Sequence, residues 1–201
     1  MDPKPQRQAT SPYSNRQKLL DSALYCVTEH GTAGTTIEMI RKRAGSSIGS
    51  LYHHFGNKQN LLAALFFELL DAQLAWSKAA LEQADTIEDV ISAFVHGYVG
   101  WVSHHPTEAR FLYAVRSEVA AGSQAELLRQ RNKARFGQLH TLLKAGIEAG
   151  HVRALPKEIY ASLLLGQSEN YCRAWLSHRV SSKPSAHAAL LADAAWRAIK
   201  A

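Results

Sequence analysis

Residues 35–58, TTIEMIRKRAGSSIGSLYHHFGNK, constrain this chain more than any other stretch. They read as two short helices joined by a tight turn, followed at once by the start of a third. Thr35 and Glu38 have the spacing of a capping box, which opens a helix. Ile37, Met39 and Ile40 give that helix an apolar side. Gly45 ends it, because glycine enters the left-handed conformation without a Cβ penalty. Ser46 or Ser47 can cap the next helix. Ile48, Leu51, Tyr52 and Phe55 recur at i, i+3, i+4, i+7 and share one face. Gly56-Asn57 breaks the chain again. The middle helix spans about two turns, too few to persist alone in water, so its neighbours must hold it. A short helix held behind a glycine-containing turn fits a helix-turn-helix DNA-binding unit. It fits an ordinary helical hairpin in a bundle equally well.

The residues themselves separate the two. Thr36, Ile40, Ala44-Gly45, Ser47, Gly49, Leu51-Tyr52, His54-Phe55, Lys58 and Leu61-Leu62 resemble, without a gap, the DNA-binding motif of the tetracycline-repressor (TetR) family of bacterial transcription regulators. Two positions depart from the family pattern. Ser46 stands where a small apolar residue is usual, and Arg41 where alanine is usual. The resemblance implies that Ser47, Ile48, Gly49 and Ser50 face base edges in the major groove. A serine hydroxyl donates or accepts there, and Ile48 suits a thymine methyl. It further implies that Thr36, Tyr52, His53 and Lys58 clamp phosphates, with Arg43 and His54 as further DNA contacts; such contacts position without reading sequence.

The rest of the chain reads as helix throughout. Heptad-like apolar spacing predicts helices over about 14–30, 58–84, 86–105, 106–121, 124–149, 156–178 and 184–200. The expected fold is therefore all-α, with about nine helices. Its expected divisions are a flexible arm at 1–13, a DNA-binding head at 14–62 and a ligand-binding and dimerisation body at 63–201. The helix predicted to begin at Lys58 is shared between head and body, so the resemblance gives it the role of coupling them.

Charge agrees with an anionic partner at the N-terminal end. The net charge is +6, and residues 1–58 hold eight Lys/Arg against four Asp/Glu. Cys26 and Cys172 are far apart and read as small buried hydrophobes. The histidines have no metal-helix spacing, so neither a metal nor a cofactor is expected. No apolar run reaches the ~18–20 residues needed to span a bilayer, and the first residues lack the apolar core of a signal peptide. The expected location is the cytoplasm.

In the body, Trp101, Phe111, Tyr113, Phe136, His140, Tyr171 and Trp175 are large side chains on predicted helices. Arg116, Glu169, Asn170 and Arg173 are polar groups among them. The set can line a pocket for a small effector, or simply fill a core, since an aromatic stripe at helical spacing serves either use. Glu169 and Arg173 stand i, i+4 and can pair on the surface. Leu164, Leu165, Leu190, Leu191, Ala194 and Ala195 exceed what one helix stripe needs, and Gly166 permits close approach. A four-helix contact between two copies accounts for them; closure of the monomer core is the alternative.

The leading expectation is a homodimeric repressor that leaves a near-palindromic operator when a small apolar or aromatic ligand binds. No nucleophile–base pair or phosphate loop points to an enzyme. A helical-bundle carrier or enzyme for an apolar molecule, and a DNA-binding protein with no ligand, remain the alternatives.

Overall fold

The computed structural model describes residues 14–201, so the arm expected at 1–13 lies outside the described residues. Nine α-helices are described: α1 Asn15–Gly34, α2 Ile37–Ala44, α3 Ile48–Phe55, α4 Lys58–Glu82, α5 Ile87–His104, α6 Pro106–Ala121, α7 Ala125–Glu148, α8 Lys157–Leu176 and α9 Ala188–Ile199. A 3-10 turn, Pro184–His187, precedes α9. The only pairing of extended backbone among the described residues is an isolated bridge between Val152 and Lys200. The all-α expectation holds. The chain forms two compact units, one ending at Leu65 and one from Phe66 to Ala201.

In the first unit, α1 packs against both α2 and α3. Leu19, Leu20, Ile40, Leu51, Leu61 and Leu62 are fully or almost fully buried. Each such side chain contributes about 1.5–3 kcal/mol relative to exposure. That burial supplies what an eight-residue helix lacks by itself. Three local details differ from the sequence reading. The N-cap of α2 is Thr36, whose hydroxyl accepts from the Met39 amide at 3.2 Å. Thr35 is buried and turns back, donating its hydroxyl to the Gly31 carbonyl at 2.7 Å. Gly31 adopts φ 69°, yet the helical turn resumes to Gly34, so this glycine breaks the first helix without ending it. Gly45 does end α2, at φ 60° and ψ 32°, and Ser47 rather than Ser46 caps α3.

In the second unit, α5 is the central element, in contact with α6, α7, α8, α9 and the 3-10 turn. Its composition explains the position: Val90, Ile91, Val95, Val99, Trp101 and Val102 are buried around much of its circumference, as expected of a helix enclosed by others. Thr86 and Asp89 start α5 with a complete capping box. Gly97 allows α4 to come against α5, because a Cβ there would stand 1.7 Å from the Ser77 Oγ and 2.6 Å from the Ser77 Cβ. Val152, Leu164, Ala192, Ala195, Trp196 and Ile199 join α5 and α7 residues in one apolar core. The chain end is tied to it by the Arg153 amide donating to the Ile199 carbonyl at 2.8 Å. None of the described helices is long and apolar enough to cross a membrane.

Candidate nucleic-acid interface and body cavities

The helix-turn-helix divides α3 into two functional faces. Leu51 and Phe55 point into the core, whereas Ser47, Ile48, Gly49, Tyr52, His53 and His54 are exposed. Ile48 is 52% exposed, which leaves an apolar side chain free to meet a partner. Ser47 accepts from the Ser50 amide at 3.1 Å and fixes the first turn. Ser50 is half-buried, and its hydroxyl accepts a hydrogen bond from the Asn15 side chain. The same amide nitrogen donates to the buried Ser46 hydroxyl at 3.1 Å. Asn15 thus braces the turn from the start of α1. It explains how a serine is accommodated at position 46, and the sequence reading missed it.

The cations around α3 have different duties. Arg41 pairs with Glu38. Arg43 lies over the Tyr25 ring at 3.3 Å from its centroid, which stiffens a guanidinium at the surface. Arg16 lies over the Phe55 ring at 5.5 Å. Thr36 is exposed and engaged as the α2 cap. Lys58 turns inward: its ammonium donates to the Thr32 and Thr35 carbonyls, both at 2.9 Å. Two of its three donors therefore close the turn between α1 and α2.

Among the described residues, three of the cavities in the body are neighbours. The largest, about 600 Å³, has an apolar wall that includes Phe94, Phe136, Leu139, Leu143 and Leu164. A second, about 480 Å³, is lined by Leu74, Leu81, Val90, Phe94, Arg131 and Arg135, among others. A small one, about 70 Å³, shares Leu70 and Arg135 with the second and Arg116, Asn132, Phe136 and Leu165 with the largest. Both large volumes fall in the range of small-molecule sites.

Of the residues expected to meet a ligand, Arg116, Phe136 and His140 line the largest cavity, and Tyr113 and Glu169 line the small one. Trp101 and Phe111 are fully buried and line none of the three. Asn170 is exposed, Trp175 is half-buried elsewhere, and Tyr171 bonds Ser182 across 2.7 Å. Glu169 accepts from Arg173 at 2.7 Å, and that guanidinium lies over the Tyr113 ring. Tyr98 and Tyr113 share a hydrogen bond of 2.5 Å. Burial raises both phenols above their usual range, so both stay neutral. Burial also pushes the Cys172 thiol up to about 12, which makes it a poor nucleophile. Arg131, Arg135, Lys133 and Lys157 also line cavities, and nothing in the sequence singled them out. Their polar helix faces gave no signal that an empty volume lies beside them.

The residues expected at a dimer contact divide. Leu164 and Ala195 are in the monomer core, Leu165, Leu191 and Ala194 are half-buried, and Leu190 is 67% exposed. Ile159 adds a second exposed apolar side chain, on α8.

The family model described as bacterial regulatory proteins, tetR family, matches residues 19–65. That stretch runs from the buried stripe of α1 through the helix-turn-helix into α4. The transcriptional repressor AcnR of Corynebacterium glutamicum is 43% identical over 54 residues, which are 27% of this chain and 29% of that protein. The transcriptional repressor KstR2 of Mycobacterium tuberculosis is 28% identical over 141 residues, 70% of each chain. A TetR family regulator from Marinobacter aquaeolei VT8 superposes with a TM-score of 0.78 at 19% identity, over 92% of this chain and 95% of that one. The fold likeness therefore extends along the chain, while the family model matches residues 19–65 alone. Residues 19–65 are thus a domain of the tetR family of bacterial regulatory proteins, and the chain shares the fold of a solved TetR family regulator.

Proposed function

We propose that this protein is a sequence-specific DNA-binding transcriptional regulator, a repressor that binds a near-palindromic operator as a homodimer and leaves it when a small molecule occupies the body. One observation carries the reading: the first turn of α3 presents Ser47, Ile48 and Gly49 to solvent while Leu51 and Phe55, on the same two turns, are anchored in the core. A helix so held can enter a major groove without being deformed. Ile48 and Gly49 suit contact with base edges, and Ser50, held by Asn15, offers its hydroxyl in a fixed place. Tyr52, His53, Arg43 and Thr36 serve as backbone contacts. Lys58 contributes its one remaining donor. AcnR and KstR2 are named as repressors, which supports repression over activation.

A dimer supports two half-sites about 34–36 Å apart, one helical repeat of DNA. The exposed Leu190 and Ile159 on α9 and α8 support the contact between copies. The helix α4 passes unbroken from one compact unit into the other. A ligand that prefers one arrangement of the body can therefore act on the head through it. Only a difference in ligand affinity between the two states can drive release; a coupling of about 1–3 kcal/mol weakens operator binding about 5–150-fold.

The test begins with selection of binding sites from random DNA by the purified protein, followed by titration of the selected site over a salt series. A near-palindrome bound with a steep salt dependence is expected. Selection of no motif, or equal affinity for a single half-site in a stable monomer, rejects the reading.

A further inference from the structure

The charges around the cavities do not balance. Arg116, Arg131, Arg135, Lys133 and Lys157 line the two large cavities against only Asp71 and Glu158. Asp71 is committed to Arg131, across 2.5 Å. At the small cavity between them, Glu169 is committed to Arg173. Among the described residues, that leaves Arg116 and Arg135 facing one small volume without a carboxylate of their own.

Arg135 is the more exposed to this imbalance energetically. Its Nε is closed to solvent and has no hydrogen-bond partner among the described residues. Its guanidinium donates to Gln73, a neutral acceptor at 3.1 Å, and lies 5.5 Å from the Phe136 ring centre. Burial, and then the charge of Arg116, lower its pKa, so the site disfavours the cation it holds. A guanidinium stays charged in proteins, so such a site is completed by an anion rather than by proton loss.

We propose that the effector is an anionic amphiphile whose acidic head lies between Arg116 and Arg135 in the small cavity, with its apolar body in the largest one against Phe94, Phe136, Leu139 and Leu143. The proposal rests on the reading of the body as an effector site, and it replaces a neutral apolar ligand with a charged one. Gln73, Tyr98 and Asn132 line the head-group volume and supply neutral polar groups to a carboxylate or phosphate oxygen. Neither phenol competes as an anion, because both stay protonated. The guanidinium geometry favours a planar carboxylate or a phosphate over a hydroxyl.

The experiment compares octanoate, dodecanoate and hexadecanoate with the matching n-alcohols, by calorimetric titration of the full chain below micelle formation. At least one acid should bind about 10–100-fold tighter than its alcohol, the difference expected for one charged hydrogen-bonded contact. Arg135→Met should abolish that preference while leaving alcohol binding equal or stronger. Arg129→Met, on the exposed part of α7, should leave the preference unchanged. Should Arg135→Met fail to fold, Arg116→Gln gives the same reading, and the wild-type acid-to-alcohol ratio stands alone. Equal binding of acids and alcohols, an equal loss in the Arg129 variant, or no binding by any acid overturns the proposal. Operator release is followed in parallel. Release by alcohols as well as by acids overturns only the anionic class, whereas failure of the bare protein to bind a selected site overturns the function itself.

Discussion

Alanine at position 97 should destabilise the body even though alanine is the better helix former. Gly97 lies inside α5, where glycine costs about 1 kcal/mol relative to alanine, so propensity alone predicts a gain. The structure predicts the opposite. The new Cβ would meet the Ser77 Oγ at 1.7 Å, its Cβ at 2.6 Å and its Cα at 3.2 Å. The hydroxyl can rotate away, but the other two atoms are fixed by the backbone of α4, so the helices must part. Overpacking of this kind costs about 1–3 kcal/mol and more where no rotamer relieves it. Taking about 3 for the clash and subtracting about 1 for propensity leaves a loss of about 2 kcal/mol. At about 2–4 °C per kcal/mol in a chain of this size, Tm should fall by about 4–8 °C. Gly137, inside α7, has nothing within 4 Å of its would-be Cβ, so Gly137→Ala should raise Tm by a few degrees. Ser77→Ala should rescue Gly97→Ala only partly, because the Cβ clash persists, and Ser77→Gly should rescue most of it. Thermal unfolding of the five proteins, with the double variants, measures this coupling. A Gly97→Ala protein as stable as wild type, or an equal rescue by both Ser77 variants, would refute the close approach of α4 and α5.

Lys58→Met should lower the stability of the head by about 1–3 kcal/mol, from two lost bonds to the Thr32 and Thr35 carbonyls, seen in its urea midpoint. If the salt slope of operator binding is unchanged in that variant, Lys58 makes no phosphate contact. Ile48→Ala should change the selected base at one position of each half-site, at about 1–3 kcal/mol, while Arg43→Ala should weaken all DNA similarly and lower the salt slope by about one; the reverse pattern would exchange their roles. Hydrogen bonds from Thr86 hold the Asp89 carboxyl below its usual range. A depressed folded-state pKa stabilises above the unfolded value near 3.9 and is lost as pH falls through the folded one. Asp89→Asn should therefore flatten the acid limb of body stability below about pH 4, and an unchanged limb would remove the capping box from the account.

The sequence by itself determined the all-helical class, the helix-turn-helix and the boundaries of most helices. These depend on local chemistry: Gly45 ends α2 because of its own backbone freedom, and Ser47 caps α3 within three residues of its partner. Even there a one-residue ambiguity persisted, since Thr35 and Thr36 offer the same hydroxyl and only packing buries the first and leaves the second free to cap. The exposure of Ile48 beside the burial of Leu51 was implied by position in the family motif and not by hydropathy, which scores the two alike. Tertiary structure alone decided the direction of Lys58, because its partners are carbonyls 23 and 26 residues away. It also decided that Trp101 and Phe111 fill the core while Phe136 borders a cavity, since all three sit on apolar helix stripes and differ only in what stands opposite. Arg116 stands out in the sequence only as a polar group among apolar ones, and Arg135 does not stand out at all. Only the placement of α6 against α7, with Asp71 and Glu169 already engaged elsewhere, leaves their charges without a partner. Electrostatic balance is a property of three-dimensional neighbours, and no linear spacing encodes it.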